Sequence, residues 1–199
     1  LTRPLLERGC DTFIRFNESV SILNKVHNND FVSIENIISA RKPFGDITPD
    51  TTTDNGILVY AYPRNGYISK TKVIQNNHWI DKYKVYIAKA YGERGAFPYL
   101  VLGKPFIGEP STCCTETYLV IGTFDSREQA ENLISYIRTR FFRFFVLYKK
   151  NTQNAARGVY SLVPMQDFSK PWTDEELYAK YGLTEEEISF IESMIRPME

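Results

Sequence analysis

The chain carries 24 Asp and Glu, 2 His and 3 Cys, and some spacings of these residues would support catalysis. Pro49-Asp50 opens the pattern of a metal-dependent nuclease. In that pattern clustered carboxylates near a lysine bind Mg²⁺ and orient the attacking water. Its second half needs a Lys two residues after an acidic residue, and no Asp or Glu here has one. Asp50 is therefore expected to be a turn residue in a loop. His27 and His78 stand alone, which leaves a hydrolytic dyad without support. Cys10, Cys113 and Cys114 form an odd set with one adjacent pair. Such a set is neither a disulfide framework nor a zinc spacing. They are expected to be structural thiols in a reducing, cytoplasmic setting.

No G-x-G-x-x-G, P-loop or G-x-S-x-G is present. Base methylation at adenine needs a Gly-rich cofactor turn and an N-P-P-[YF] tetrapeptide that holds the amino group of the flipped base. Both are missing. The chain is expected to be non-catalytic, with no metal and no cofactor of its own. What remains is a surface. Arg41 and Lys42 open a long polar loop. Arg64-Asn65-Gly66-Tyr67 with Lys70 and Lys72 makes a second basic and aromatic cluster. Lys82, Lys84 and Lys89 with Trp79, Tyr83 and Tyr86 make a third, and Arg94 and Lys104 follow on further loops. Lys and Arg neutralise phosphates, while Arg, Asn and Gln read base edges. An ordinary solvated surface, with Tyr and Trp bodies filling the core, accounts for the same residues.

The formal charge is zero over 199 residues, but it is unevenly spread. From Gln166 onward 3 basic and 9 acidic residues give −6, so residues 1–165 carry +6. A mildly basic body permits contact with an anionic polymer. No run of about 18 apolar residues offers a membrane span. The chain opens LTRPLLERG, without an initiator Met, and is expected to be a fragment of a larger protein.

The elements that must position these groups follow from periodicity. Phe13, Phe16, Val20, Leu23 and Val26 predict an amphipathic helix over 12–27. A helical turn is expected at 34–40 and another at 77–82. Short strands are expected at 57–62, 67–69, 85–90, 99–102, 117–123 and 159–163. Ala130, Leu133, Ile134, Ile137, Phe141, Phe144, Phe145 and Tyr148 form one stripe at helical spacing. They predict a single long helix over 126–150, about 35 Å in length. Asp125 is its expected cap, and its arginines are expected to fringe the core. Thr173–Glu176 and Thr184–Glu187 are T-x-x-E capping boxes for two closing helices, with Gly182 as the stop between them. The fold class is α+β: an irregular mixed or antiparallel sheet on one long helix, with a C-terminal pair of short helices.

Two segments carry a resemblance: TETYLVIGTFDSREQAENLISYIRTRFFRFFVLYKKNTQ, and VYSLVPMQDFSKPWTDEELYAKYGLTEEEISFIESMI. They resemble the C-terminal region of adenine-specific DNA methyltransferases of bacterial restriction-modification systems, including fused restriction enzyme–methyltransferases. In that family a long helix ends in a Thr-Gln step, matched by Thr152-Gln153. An extended segment and a helical pair follow, matched by residues 163–169 and 172–188. A looser similarity reaches the target-recognition domains of type I specificity subunits. The resemblance implies a target-recognition domain over 1–165, followed by a linker and helical appendage over 166–199. It implies double-stranded DNA as partner. It also implies an upstream methyltransferase domain that binds S-adenosylmethionine and flips the adenine. Arg41, Lys42, Arg64, Lys70, Lys72, Lys82, Lys84 and Lys104 are then the expected DNA-binding residues, on loops facing the major groove. Readings of other classes are a protein–protein docking module of the same system and a divergent nuclease.

Overall fold

The structure is a computed structural model that describes residues 5–7, 10–93 and 97–199. Its centre is an antiparallel three-stranded sheet in the order β4-β3-β6, formed by β3 (Tyr83–Ala88), β4 (Phe106–Gly108) and β6 (Tyr118–Phe124). The sequences YKVYIA and YLVIGTF are apolar at nearly every position, because both faces of this sheet are covered. Side chains alternate between faces along a strand. Val85, Ile87, Leu119 and Ile121 enter a large helical core, while Tyr86 and Val120 enter a smaller one on the opposite face.

The smaller core is closed by a second sheet, order β2-β1-β5, from β1 (Ile57–Tyr60), β2 (Gly66–Ile68) and β5 (Thr112–Cys114). β1 pairs antiparallel with β2 and parallel with β5, so this sheet is mixed. The α+β class is as expected, although the layering is helices, sheet, sheet. A bulge between Lys84 and Val85 shifts the register of β3 against β6. Gly122 on β6 lies opposite it with φ +63°, and a Cβ there would meet the Phe124 ring at 2.6 Å. Glycine alone satisfies both demands.

The long stripe of apolar residues forms two helices rather than one. α2 (Arg127–Arg138) ends at Thr139, and α3 (Arg140–Lys149) begins after it. Thr139 is extended, at φ −61° and ψ 150°. Its hydroxyl accepts from Phe142 N at 3.1 Å and donates to Tyr136 O at 2.7 Å. The Asp174 carboxylate accepts from the amides of Arg140 and Phe141 at 3.0 and 2.8 Å, satisfying free N–H groups of the first turn of α3. Arg143 is not at the fringe but fully buried. It donates to the carbonyls of Thr139, Arg138, Leu100 and Arg196 at 2.8–3.2 Å. One guanidinium therefore closes the end of α2 and ties it to two distant loops. Ser126, not Asp125, caps α2 by accepting from Gln129 N.

Other expectations shift in detail. The first helix, α1 (Asn17–Val26), starts later than expected and has no side-chain cap. The turns expected at 34–40 and 77–82 are 3-10 turns, Ile34–Ile37 and Asn77–Trp79. Residues 99–102 form no strand, because Val101 adopts φ +72°. Tyr99 alone bridges to Ile195. Residues 159–163 are not a strand either: a 3-10 turn, Arg157–Tyr160, places Tyr160 in the large core.

Both capping boxes are present, on α4 (Asp174–Lys180) and α5 (Glu185–Met194). Gly182 takes φ +60° between them. Leu177, Ile191, Met194 and Ile195 join the large core, and Tyr181 stacks on Phe141 at 5.2 Å. The segment VPMQDFSKPW is pinned to α2. Tyr136 donates its hydroxyl proton to Pro164 O, Asn132 donates to Phe168 O, and Ser135 accepts from Trp172 N. Six of the nine acidic residues of the tail occupy the first turns of α4 and α5, where the helix dipole favours them.

Candidate nucleic-acid interface

The eight expected basic residues fall into three groups. Lys84 is interior and fully buried. Its ammonium donates to the carbonyls of Lys82, Ile80 and Glu109 at 2.7, 3.2 and 3.2 Å. Burial pulls its pKa down to about 8. A side chain so enclosed does not reach a phosphate, so the expectation for Lys84 is corrected. The β3 register explains why it was misread: Lys84 shares a face with Tyr86, which looks from sequence like a solvated basic and aromatic cluster.

The second group, Lys70, Lys72 and Lys82, lies near the start of β3 and just beyond the end of β2. Lys70 is paired with Asp81 at 2.6 Å, and Lys82 is paired with Asp125. Lys72 is exposed and bonded to no carboxylate among the described residues, though it helps hold the nearby Asp50 carboxyl below its ordinary range. The larger cause there is the Thr52 hydroxyl and amide donating to Asp50 at 2.6 and 2.8 Å. This is an Asx turn, the loop role expected for Asp50.

The third group gathers at the opposite end, where β1 and β3 finish. Arg64 and Asn65 sit in the loop joining β1 to β2, and Asn65 Oδ1 accepts from Ala61 N at 3.1 Å, fixing that loop. Tyr62 in the same loop is 80% exposed. Thr115, just past β5, donates its amide to Tyr60 O at 3.0 Å, placing Glu116 beside this loop. Arg41 pairs with Glu116 through two nitrogens, at 2.5 and 2.7 Å. The Arg41 hydrogen bond leads in holding the Glu116 carboxyl below the usual range, and Lys89 and Lys42 add to it. Lys42 itself is bonded to Asp46. Lys89 follows β3 directly, its amide bonded to Thr117 O at 2.9 Å. Gly103, beside Lys104, approaches Ala88 and the Tyr91 ring, so Lys104 belongs to this end as well. Arg64 and Lys104 are exposed and bonded to no carboxylate among the described residues. Arg94 lies outside the described residues.

Beneath this end Tyr60, Tyr86, Phe106 and Tyr118 form an aromatic cluster with centroids 5.0–6.4 Å apart. It gives the cationic loops a rigid base. Lys89 and Asn65 belong to this end although the expected DNA-binding set left them out. Both stand in the basic and aromatic clusters of the sequence, Lys89 within the strand expected at 85–90 and Asn65 beside Arg64.

The remaining chemistry-bearing residues are structural in their surroundings. Cys113 and Cys114 are buried in the smaller core, and burial pushes the Cys113 thiol up to about 12. His27 is half-buried, with Nε2 2.8 Å from Leu162 O and its ring stacked on Phe31, and burial lowers its pKa. Among the described residues no three His, Cys, Asp or Glu side chains are grouped as metal ligands. No helix among them is long and apolar enough to cross a membrane. Comparison with known protein families, curated proteins and solved structures finds no match to this chain.

Proposed function

We propose that the chain is a double-stranded DNA recognition domain of a restriction-modification enzyme, and that it performs no bond-making itself. The observation that carries the reading is the gathering of Arg41, Arg64, Lys89 and Lys104 at one end of both sheets. Exposed Tyr62 and Asn65 stand among them, and among the described residues the one carboxylate bonded to this group is Glu116. Cations on short loops over a packed aromatic base suit phosphate contact, and Asn65 and Arg64 suit base edges. Methyl transfer, with S-adenosylmethionine, belongs in this reading to an upstream domain of the parent protein. No residue here is assigned to that cofactor.

The test is duplex affinity across a salt series. Each lost phosphate contact reduces the slope of log K against log salt by about 0.9. Arg64→Gln with Lys104→Gln is expected to reduce it by about 1.8. The pair Lys70→Gln and Lys82→Gln, at the far end and already bonded to carboxylates, is expected to leave it unchanged. An equal effect from both pairs, or none from either, refutes the assignment of this end. A second reading, docking to another protein domain, draws on exposed Leu5, Leu6, Phe13 and Phe16 in the N-terminal segment.

A further inference from the structure

Next to the cationic end lies a cavity of about 600 Å³, within the range of small-molecule sites. Its walls include Phe16, Tyr91, Phe97 and Tyr99. Phe97 is 52% and Phe16 40% exposed, so aromatic surface is open to a ligand. Asn151 and Gln153 also line it, and neither side chain has a protein hydrogen-bond partner among the described residues. They are nevertheless well placed. Gln153 O accepts from Tyr91 N at 2.9 Å, and Thr152 Oγ1 accepts from Asn154 N at 3.2 Å, which fixes the turn.

The charge inside is positive. Glu93 is committed to the protein: its oxygens accept from the amides of Leu100 and Val101 and pair with Arg196 at 3.0 Å. Lys150, partly buried, donates to Tyr91 O at 3.0 Å and is bonded to no carboxylate among the described residues. Arg15 stands on the same lining. Open aromatic faces, free amides on a fixed turn and two cations together match a planar heterocycle carrying an anionic group.

We propose that this cavity is a nucleotide site, with the base on the aromatic wall, its edge met by Asn151 and Gln153, and its phosphate met by Arg15 and Lys150. The ligand is either a free mononucleotide or an unstacked base of a nucleic-acid strand. The strand source rests on the DNA-binding reading above. A short ladder supports continuity with that surface: Ala155 N donates to Lys89 O at 2.6 Å, and Ala90 bridges Asn154.

The experiment is a fluorescence titration of the 199-residue chain with 2-aminopurine probes, whose emission falls on stacking. One arm uses the free 2-aminopurine riboside monophosphate, a second a single-stranded oligonucleotide carrying 2-aminopurine, and a third a duplex with it placed centrally. Saturable quenching is expected in at least one arm, and which arm identifies the source. Phe97→Ala is expected to weaken binding about tenfold, and Asn151→Ala with Gln153→Ala about fivefold. All three positions are exposed, so folding is preserved. No saturable quenching in any arm, or variants that bind as the wild type does, overturns the proposal. Arg64→Gln with Lys104→Gln separates the two readings. Free-nucleotide binding that persists when duplex affinity is absent keeps the cavity and removes the DNA reading. Duplex affinity with no quenching does the reverse.

Discussion

Lys84→Met should change how stability responds to pH. In the folded chain the buried ammonium loses its proton at about pH 8, chiefly because burial disfavours the charge. In the unfolded chain it does so near 10.4. Between those values the unfolded state binds more protons, so this residue makes stability rise with pH. From pH 7 to pH 9 the gain is about 1.3 kcal/mol, with one pKa unit worth about 1.36 kcal/mol. The buried thiols work the other way. Cys113 and Cys114 keep their protons when folded and begin to lose them near pH 9 when unfolded, so their contribution falls as pH rises. In the wild type the two trends oppose one another. The methionine variant retains the thiols and lacks the lysine. Urea unfolding of both proteins at pH 7 and pH 9 therefore isolates Lys84. The stability difference, wild type minus variant, is expected to move in favour of the wild type by about 1.3 kcal/mol. A difference that stays constant within about 0.3 kcal/mol, or moves the other way, refutes the claim that the ammonium is charged and buried at neutral pH.

Glu116→Gln removes the partner of Arg41. It is expected to raise duplex affinity several-fold and to steepen the salt slope by about one unit, measured by fluorescence anisotropy. Arg143→Met removes the guanidinium donor from four carbonyls, of which Thr139 O keeps the residue-143 amide at 3.4 Å, and is expected to cost about 3–5 kcal/mol in urea unfolding. Arg143→Lys is expected to recover little, because a single ammonium does not span the same four acceptors. Thr184→Ala removes the cap of α5 and is expected to cost about 1 kcal/mol by the same assay.

The features legible in the sequence were those set by neighbours within a few residues. The two capping boxes and the Gly182 stop depend on spacings of three and four, and each stands where the sequence places it. Strands β3 and β6 are long apolar runs, and their cores could be expected. The short strands β4 and β5 carry no comparable signal, since each exists only because a longer strand lies alongside. The break at Thr139 was hidden for a related reason. The apolar stripe keeps its three- and four-residue steps across it, while the groups that hold it open, Asp174 and the carbonyls of Leu100 and Arg196, lie 30 or more positions away. At the candidate interface, residue type gave the cations. Their pairing did not follow from type: Arg41 with Glu116 and Lys70 with Asp81 are joined by the folding of loops, and Lys84 is drawn inside by the pairing of β3.

The carbonyls around Arg143 have a bearing on how the molecule is made. One of them belongs to Arg196 and another to Leu100. During synthesis the aromatic helix α3 leaves the ribosome well before Arg196 does. Until then its guanidinium lacks an acceptor, Asp174 has not yet arrived to cap it, and Phe141 has no Tyr181 to stack upon. The nascent chain thus holds five phenylalanines and tyrosines of α3 without their final cover, the kind of transient surface that recruits chaperones. Completion of this core waits on α5 and Arg196, the last of its parts to be synthesised.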